Sequence, residues 1–277
     1  MRVGLCQLNV SDDPAANLPV TLEFIRAAAK DGAQFVLTPE VTNCISMSRA
    51  HQDQVLHFQD DDPTLTALRA EAANLGIWIL IGSLAIKTND ADGRFANRSF
   101  LIGPDGEIAD QYDKIHMFDV NISETEAYHE SKGYRPGDRA VLARTEIGAI
   151  GMTICYDLRF PHLFRDLAKA GAEMITVPSA FSPATGKAHW ETLLRARAIE
   201  TGCFILAPAQ TGTHSSGSAK PRKTYGHALA VAPWGEVLLD MGTDPGVTCI
   251  DLDLKEIGAA RQRVPSLLHD RPYTPLS

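Results

Sequence analysis

The feature that most constrains this chain is that it repeats itself. Four apolar segments of the first half recur, in order, in the second. VGLCQL (3–8) is matched by IGMTICYD (150–157), and GAQFVLTPE (32–40) by GAEMITVPS (171–179). GIWILIGS (76–83) is matched by GCFILAPA (202–209), and FLIGPDGEI (100–108) by LAVAPWGEV (229–237). One such match means little, because apolar strands look alike. Four in one order, two of them sharing Gly-Ala or Pro-x-Gly-Glu punctuation, indicate an internal duplication. Its spacing of more than a hundred residues is far too long for a solenoid repeat.

Each half alternates strand-like and helix-like runs, which marks an α/β protein. In the first half, residues 2–8 read as a strand. Asp12-Asp13-Pro14 then opens a helix with Leu18, Leu22, Ile25 and Ala29 on one face, closed by Gly32. Residues 34–39 form the next strand, 64–74 a second helix, and Gly76 leads into WILIGSL. A hairpin follows with Asp105-Gly106 at its turn. The repeated unit is therefore βαβαββ. Its strands are apolar on both faces, so both faces of each sheet must be covered. Two sheets stacked inside with helices outside give a four-layer α-β-β-α sandwich. No Pro/Gly/Ser linker separates the halves, and residues 1–277 are expected to form a single domain.

Composition narrows the function. The formal net charge is −8 with no Lys/Arg block, which argues against a nucleic-acid partner. No uncharged apolar run reaches the ~20 residues of a membrane helix, and MRVGLCQLNV is too short and polar for a secretion signal. The five cysteines (6, 44, 155, 203 and 249) are odd in number and lack a Cys-x-x-Cys pair. They read as reduced thiols of a cytoplasmic protein. Nine histidines and five cysteines show no zinc-ligand spacing, so neither a metal nor a cofactor is expected.

In α/β sheets, ligands lie beyond the carboxyl ends of the strands. Glu40 ends QFVLTPE, Cys155 ends IGMTIC, and Lys114 follows the return strand of the first hairpin. Each has an ordinary reading as a cap, a small apolar side chain or a solvated charge. A charge directly after a buried strand is nevertheless costly unless it is paired or used. A Cys–His hydrolase is the nearest rival, with His116, His162, His189 and His227 available. ATGKA (184–188) only faintly echoes a nucleotide loop.

The segments TPE (38–40), YDKIHMFD (112–119) and GMTICYDLRFP (151–161) resemble the three signature blocks of the nitrilase superfamily of carbon–nitrogen hydrolases. The likeness continues through TGKAHWETLLRARAIET (185–201) and TYGHALAVAPWGEV (224–237), and covers about residues 2–262. It implies the same sandwich fold, usually as a homodimer or larger homo-oligomer. It also implies a catalytic Glu40–Lys114–Cys155 triad, with a second glutamate at Glu130. Cys155 would be the nucleophile. Glu40 would be the proton carrier, its pKa raised by burial. Lys114 would hold the oxyanion and favour the thiolate, beside the backbone N–H of Tyr156. Glu130 would orient Lys114 or the substrate. Phe118, Arg159 and His189 are further substrate-binding candidates.

The blocks look most like the amidase branch that removes glutamine-type amides from transaminated metabolites, through a cysteine thioester and with release of ammonia. Deaminated glutathione and 2-oxoglutaramate are the competing substrates. Nitrile and carbamoyl substrates, and a catalytically silent scaffold of the same fold, are the alternatives. The partners are then a small amide and water. A carboxylate on the substrate needs a cation, for which Arg159, Lys220, Arg222 and Lys223 are available. Lys187 replaces a proline usual in the branch, and residues 119–130 look individual.

Overall fold

The computed structural model describes residues 1–123, 126–217 and 221–274. Its first half runs β1 (Arg2–Gln7), α1 (Pro14–Lys30), β2 (Phe35–Leu37), α2 (Arg49–Val55), α3 (Pro63–Leu75), β3 (Trp78–Ile86), β4 (Ala96–Ile102) and β5 (Ile108–Asp113). A small hairpin, β6 (Asp119–Ser123) and β7 (Glu126–His129), precedes the second half. That half runs β8 (Val141–Thr145), β9 (Gly148–Met152), α4 (Pro161–Lys169), β10 (Met174–Thr176), α5 (Pro183–Thr201) and β11 (Phe204–Ala207). After it come the hairpin β12 (Thr211–His214) and β13 (Arg222–Tyr225), then β14 (Leu229–Val231), β15 (Val237–Asp240), β16 (Gly246–Asp251) and α6 (Lys255–Arg263).

The long helices begin where a short polar side chain precedes a proline. Asp13 caps α1, Asp62 caps α3 and Ser182 caps α5, each accepting from a backbone N–H of the first turn. Gly76 and Gly202 end α3 and α5 in the left-handed conformation, at φ 65° and 59°. The buried stripe of α1 is Asn17, Thr21, Ile25 and Ala28, one position off the apolar face expected from sequence. Asn17 is buried because its amide bridges Ser11 O and Asn43 O, and Thr21 Oγ1 donates to Asn17 O. Hydrogen bonding lets Asn17 and Thr21 share that face with Ile25 and Ala28.

The duplication appears as two six-stranded sheets of matching order, β16-β1-β2-β3-β4-β5 and β8-β9-β10-β11-β14-β15. The three inner strands of each are parallel, with Val3, Phe35 and Trp78 in register in one and Ile150, Met174 and Phe204 in the other. In each sheet five strands come from the repeated unit, one more than the four of the βαβαββ reading. The sixth is antiparallel, β16 beside β1 and β8 beside β9.

Alternation along the strands builds the layers. Val3, Leu5, Phe35, Leu37, Leu80 and Leu101 pack with Ile150, Met152 and Met174 of the other sheet. Their neighbours Cys6, Val36, Ile79, Ile81 and Phe100 pack instead with Ile25 and Ala28 of α1 and Leu65, Leu68 and Ala72 of α3. Truncating one such core side chain to alanine costs ~2–5 kcal/mol. The halves also meet through Leu8, whose backbone bonds Ala209 O and Thr211 N at 3.2 and 2.8 Å. This crossing lies beside the carboxyl ends of the central strands. No described helix is long and apolar enough to cross a membrane.

Candidate active site

Beyond the carboxyl ends of β2 and β9 the backbone takes an uncommon turn. Val41 and Cys155 have φ of 49° and 48°, a region that non-glycine residues rarely enter. Each is held by one hydrogen bond: Val41 N–H donates to Ser83 Oγ at 2.7 Å and Cys155 N–H to Pro178 O at 3.0 Å. Such strain costs of order 1–3 kcal/mol and concentrates at functional sites. Here the two turns place Glu40 and Cys155 in the wall of one cavity of about 240 Å³, together with Lys114, Glu130, Asn97, Phe118, Tyr156 and Arg222.

Glu40, Lys114 and Glu130 form one ionic cluster. Lys114 Nζ donates to Glu40 Oε1 at 2.8 Å and to Glu130 Oε1 and Oε2 at 2.9 and 2.8 Å. Glu40 Oε2 accepts from Ala180 N–H at 2.8 Å. Glu130 Oε2 accepts from Phe118 N–H at 2.6 Å. Gln210 Nε2 donates to the Glu40 carbonyl at 3.0 Å. Lys114 is 2% exposed and Glu40 4%, so these bonds operate without solvent screening.

The electrostatics correct one expectation. Burial is the largest single influence and pushes the Glu40 pKa up, but Lys114, Arg222 and the Cys155 thiol together outweigh it. The net value lies below the usual carboxylate range, so Glu40 is ionised at neutral pH. Burial likewise pulls Lys114 down, and Glu130 and Glu40 outweigh it, holding the ammonium well above the ordinary lysine range. The Cys155 thiol is pushed up, first by burial and then by the Glu40 carboxylate; Lys114 acts against them and is outweighed. The resting nucleophile is a neutral thiol beside a carboxylate, the state from which Glu40 is expected to take the proton; Lys114 favours the thiolate, as expected, but is outweighed.

Asn97 is a site residue that sequence reasoning missed. Its Nδ2 donates to Glu40 Oε1 at 2.9 Å and to Glu130 Oε1 at 3.2 Å, joining the two carboxylates. Nothing in the strand ANRSFLI marks it, because only the pairing of β3 and β4 turns it inward. Asp157, two residues beyond Cys155, is fully buried. It accepts from Ile154 N–H at 2.8 Å, Tyr112 Oη–H at 2.7 Å and His116 N–H at 3.1 Å, and contacts His116 Nδ1 at 2.7 Å. It thereby ties the nucleophile's turn to the segment that carries Lys114.

The remaining candidates divide. Phe118 and Tyr156 line the cavity with their rings 5.1 Å apart. Cys155 N–H and Asp157 N–H are spent on Pro178 O and Ile154 O. The Tyr156 N–H between them lies in the first turn of a short 3-10 helix, where helix geometry supplies no acceptor. Arg159 and His189 are not in the cavity wall. They meet each other at 3.3 Å, and Arg159 lies over the outer faces of Tyr156 and Phe181. Arg159 thus stands one layer behind the lining residues Tyr156 and Phe181, with His189 beside it. Lys187 and Lys223 are exposed and outside the wall, whereas Arg222 is in it. Lys220 lies outside the described residues.

None of the histidines weighed for a Cys–His pair lines the cavity. His116 is bound to Asp157 and stacked on Phe160, and His227 is bound to Asp240 at 2.9 Å and stacked on Tyr225. Within the segment 119–130, Asp119–Ser123 pairs with Glu126–His129, and Tyr128 and Glu130 line the cavity. Among the described residues, no group of three or more His, Cys, Asp or Glu side chains is placed to hold a metal ion.

Comparison with known proteins agrees with this geometry. The profile of the carbon-nitrogen hydrolase family matches residues 2–262. The deaminated glutathione amidase of Yersinia enterocolitica is 40% identical over 278 residues, spanning 98% of this chain and 93% of that protein. The NitFhit protein of C. elegans superimposes with a TM-score of 0.90 at 32% identity, over 98% of this chain; the chain covers 65% of NitFhit. Nit3 of Saccharomyces cerevisiae, a member of branch 10 of the nitrilase superfamily, superimposes with a TM-score of 0.81 at 28% identity, over 96% of this chain and 94% of Nit3.

Proposed function

This chain belongs to the carbon-nitrogen hydrolase family, and from that premise we propose that it is an amidase of the deaminated-glutathione kind that works through a Cys155 thioester. It is a hydrolase of carbon–nitrogen bonds in amides other than peptides. The observation that carries the catalytic reading is the gathering of Cys155, Glu40 and Lys114 in one cavity wall.

Glu40 takes the proton of Cys155 Sγ as the sulfur attacks the amide carbon. Because Glu40 starts ionised and Cys155 starts protonated, proton transfer accompanies C–S bond formation. The tetrahedral oxyanion is held by the Lys114 ammonium and the Tyr156 N–H. Glu130 grips Lys114 with both oxygens and fixes its direction. Glu40 then returns its proton to the departing nitrogen, the C–N bond breaks, and an acyl thioester remains on Cys155. Glu40 next takes a proton from water as water attacks the thioester, and passes it to the leaving sulfur. In deaminated glutathione the amide nitrogen belongs to a cysteinylglycine group, so the leaving group is that amine. Ammonia departs only from a primary amide such as 2-oxoglutaramate.

The same reading makes residues 1–277 one catalytic unit, since both halves line the cavity. It places the enzyme in the cytoplasm, where its cysteines stay free, as a homodimer or larger homo-oligomer. Exposed apolar side chains at Ile199, Val264 and Leu268 support self-association, which sedimentation would measure.

Wild type and Cys155→Ala should be assayed against amides, nitriles and carbamoyl amino acids, including deaminated glutathione and 2-oxoglutaramate. The expected result is amide turnover by the wild type, none by the variant, and an acyl adduct on Cys155 by mass spectrometry. Turnover of nitriles alone, or full activity in Cys155→Ala, overturns the proposal.

A further inference from the structure

Among the described residues, Asn97 is the one uncharged side chain whose hydrogen bonds reach both carboxylates of the cavity wall. Its Nδ2 gives one hydrogen to Glu40 Oε1 at 2.9 Å and the other to Glu130 Oε1 at 3.2 Å. The amide cannot be turned over, because its oxygen would then face two carboxylate oxygens. The orientation it adopts is costly. Asn97 is 2% exposed, and its Oδ1 is buried without a donor among the described residues. The main chain holds the residue in place: the Asn97 carbonyl accepts the Lys114 N–H at 3.0 Å. A buried amide that orphans its own oxygen to serve two anions marks a functional position.

Asn97 makes the two oxygens of Glu40 unlike. Oε1 accepts from Lys114 Nζ at 2.8 Å and from Asn97 Nδ2, which fills both of its lone-pair directions. Among the described residues, Oε2 accepts one backbone N–H, that of Ala180, at 2.8 Å. One direction at Oε2 stays open, and the Cys155 thiol is a further hydrogen-bond partner of this carboxylate. We propose that Asn97 is a positioning residue of the reaction: by occupying Glu40 Oε1, it confines the proton that passes between sulfur, leaving nitrogen and water to Glu40 Oε2. This rests on the amidase reading and adds the path of the proton to it. In acylation the S–H bond breaks, the Oε2–H bond forms and sulfur bonds to the acyl carbon. The same oxygen then protonates the departing nitrogen. Without the Asn97 donor, Oε1 accepts the proton as well, and Glu40 loses a bond that favours its charged form.

The test follows kcat and KM against pH for the amide that the wild type turns over fastest, in wild type, Asn97→Leu and Asn97→Asp, where each stays folded by circular dichroism. The charged and titratable groups around Glu40 (Lys114, Arg222, Cys155 and, through Lys114, Glu130) are the same in all three. In Asn97→Leu, kcat at pH 7.5 should fall on the order of 10-fold or more with little change in KM, and its acid limb should move up by on the order of one pH unit. Asn97→Asp should behave in the opposite sense. Its new carboxyl donates to Glu40 only while protonated, so kcat should decline as pH rises. Unmoved limbs in both variants, or equal losses of kcat at every pH, overturn the proposal. Asn97→Ser keeps one donor and serves where a larger change unfolds the chain. Its acid limb should move up by less than that of Asn97→Leu, and an unmoved limb overturns the proposal too. Site-resolved alkylation of Cys155 by iodoacetamide reads the same proton transfer without an amide, and its acid limb should also move up in Asn97→Leu. No amide turnover with that limb still moved sinks the amidase reading and supports the role of Asn97. Amide turnover with both limbs unmoved does the reverse.

Discussion

The Lys114 ammonium lies 2.8 Å from Glu40 Oε1 across 74 residues of sequence, and the same nitrogen holds Glu130. It is the only cation whose hydrogen bonds reach both carboxylates among the described residues. Lys114→Met should therefore do more than abolish the oxyanion site. It leaves two buried carboxylates sharing Asn97 Nδ2, and removing one partner of a buried ionic cluster costs ~3–5 kcal/mol. Urea unfolding at pH 7.5 should show that loss, and the loss should shrink at pH 5, where one carboxylate can take a proton. Wild-type stability in the variant would mean that the cluster tolerates its own charge.

Glu40→Gln removes the proton acceptor but keeps an oxygen for the Ala180 N–H. Turnover should fall by about 10²–10⁴-fold, the usual worth of a positioned general base. The Cys155 pKa should move in a definite direction. Burial raises it first and the Glu40 charge second, so deleting that charge lowers it. Thiolate absorbance, taken as a difference against Cys155→Ala, should show Cys155 titrating at lower pH in Glu40→Gln than in wild type. A shift upward would contradict the geometry.

The fold was readable because each half is encoded locally. Cap–proline pairs start the long helices, glycines end two of them, and continuous apolar runs mark strands with two covered faces. The triad positions came from the resemblance of three short blocks to the family's signatures; that Glu40, Lys114 and Cys155 each follow a strand end left their ordinary readings open. What escaped depends on contacts between distant segments. The sixth strand of the first sheet, β16, pairs with β1 from the far end of the chain. The inward turn of Asn97 depends on how β3 and β4 pair. The sign of the Glu40 shift is a contest between burial and its partners, Lys114 first and then Arg222 and Cys155, and sequence shows neither distance nor depth.

Asp157 should matter to turnover without touching substrate. Its carboxylate accepts from the nucleophile's turn at Ile154 and from the Lys114 segment at Tyr112 and His116. Asp157→Ala leaves these donors buried and unpaired, at a cost of about 1–3 kcal/mol each. Stability should fall by several kcal/mol in urea. At temperatures where the variant stays folded, kcat should fall more than KM changes, because Cys155 and Lys114 lose their common brace. Asp157→Asn, which keeps an acceptor, should recover part of kcat. Equal effects of Ala and Asn would show that the carboxylate is only filling space.

His214 gives the fold an acid limit. Its Nδ1 lies 2.7 Å from the Val10 carbonyl, which can only accept, so Nδ1 carries the proton. Its Nε2 then accepts from Thr224 Oγ1 at 2.6 Å. The ring is buried and neutral, and its pKa is lowered to about 4, first by burial and further by Arg222, directly across the β12–β13 hairpin. The unfolded chain has the ordinary value near 6.5. Because the folded value is the lower one, the stabilisation is complete above about pH 6.5 and is lost as pH falls towards 4. The loss over that window amounts to roughly 3 kcal/mol. His214→Asn keeps a donor for Val10 and cannot take a proton. It should be less stable at pH 7.5, by about 1 kcal/mol for the orphaned Thr224 hydroxyl, yet should lose less stability between pH 6.5 and 4.5. Equal pH slopes in urea unfolding of the two proteins would remove His214 as the cause. Glu40, held below the ordinary carboxylate range, stays ionised through most of this window. Acid inactivation above pH 4.5 should therefore follow loss of the fold around β12–β13 rather than protonation of the proposed base.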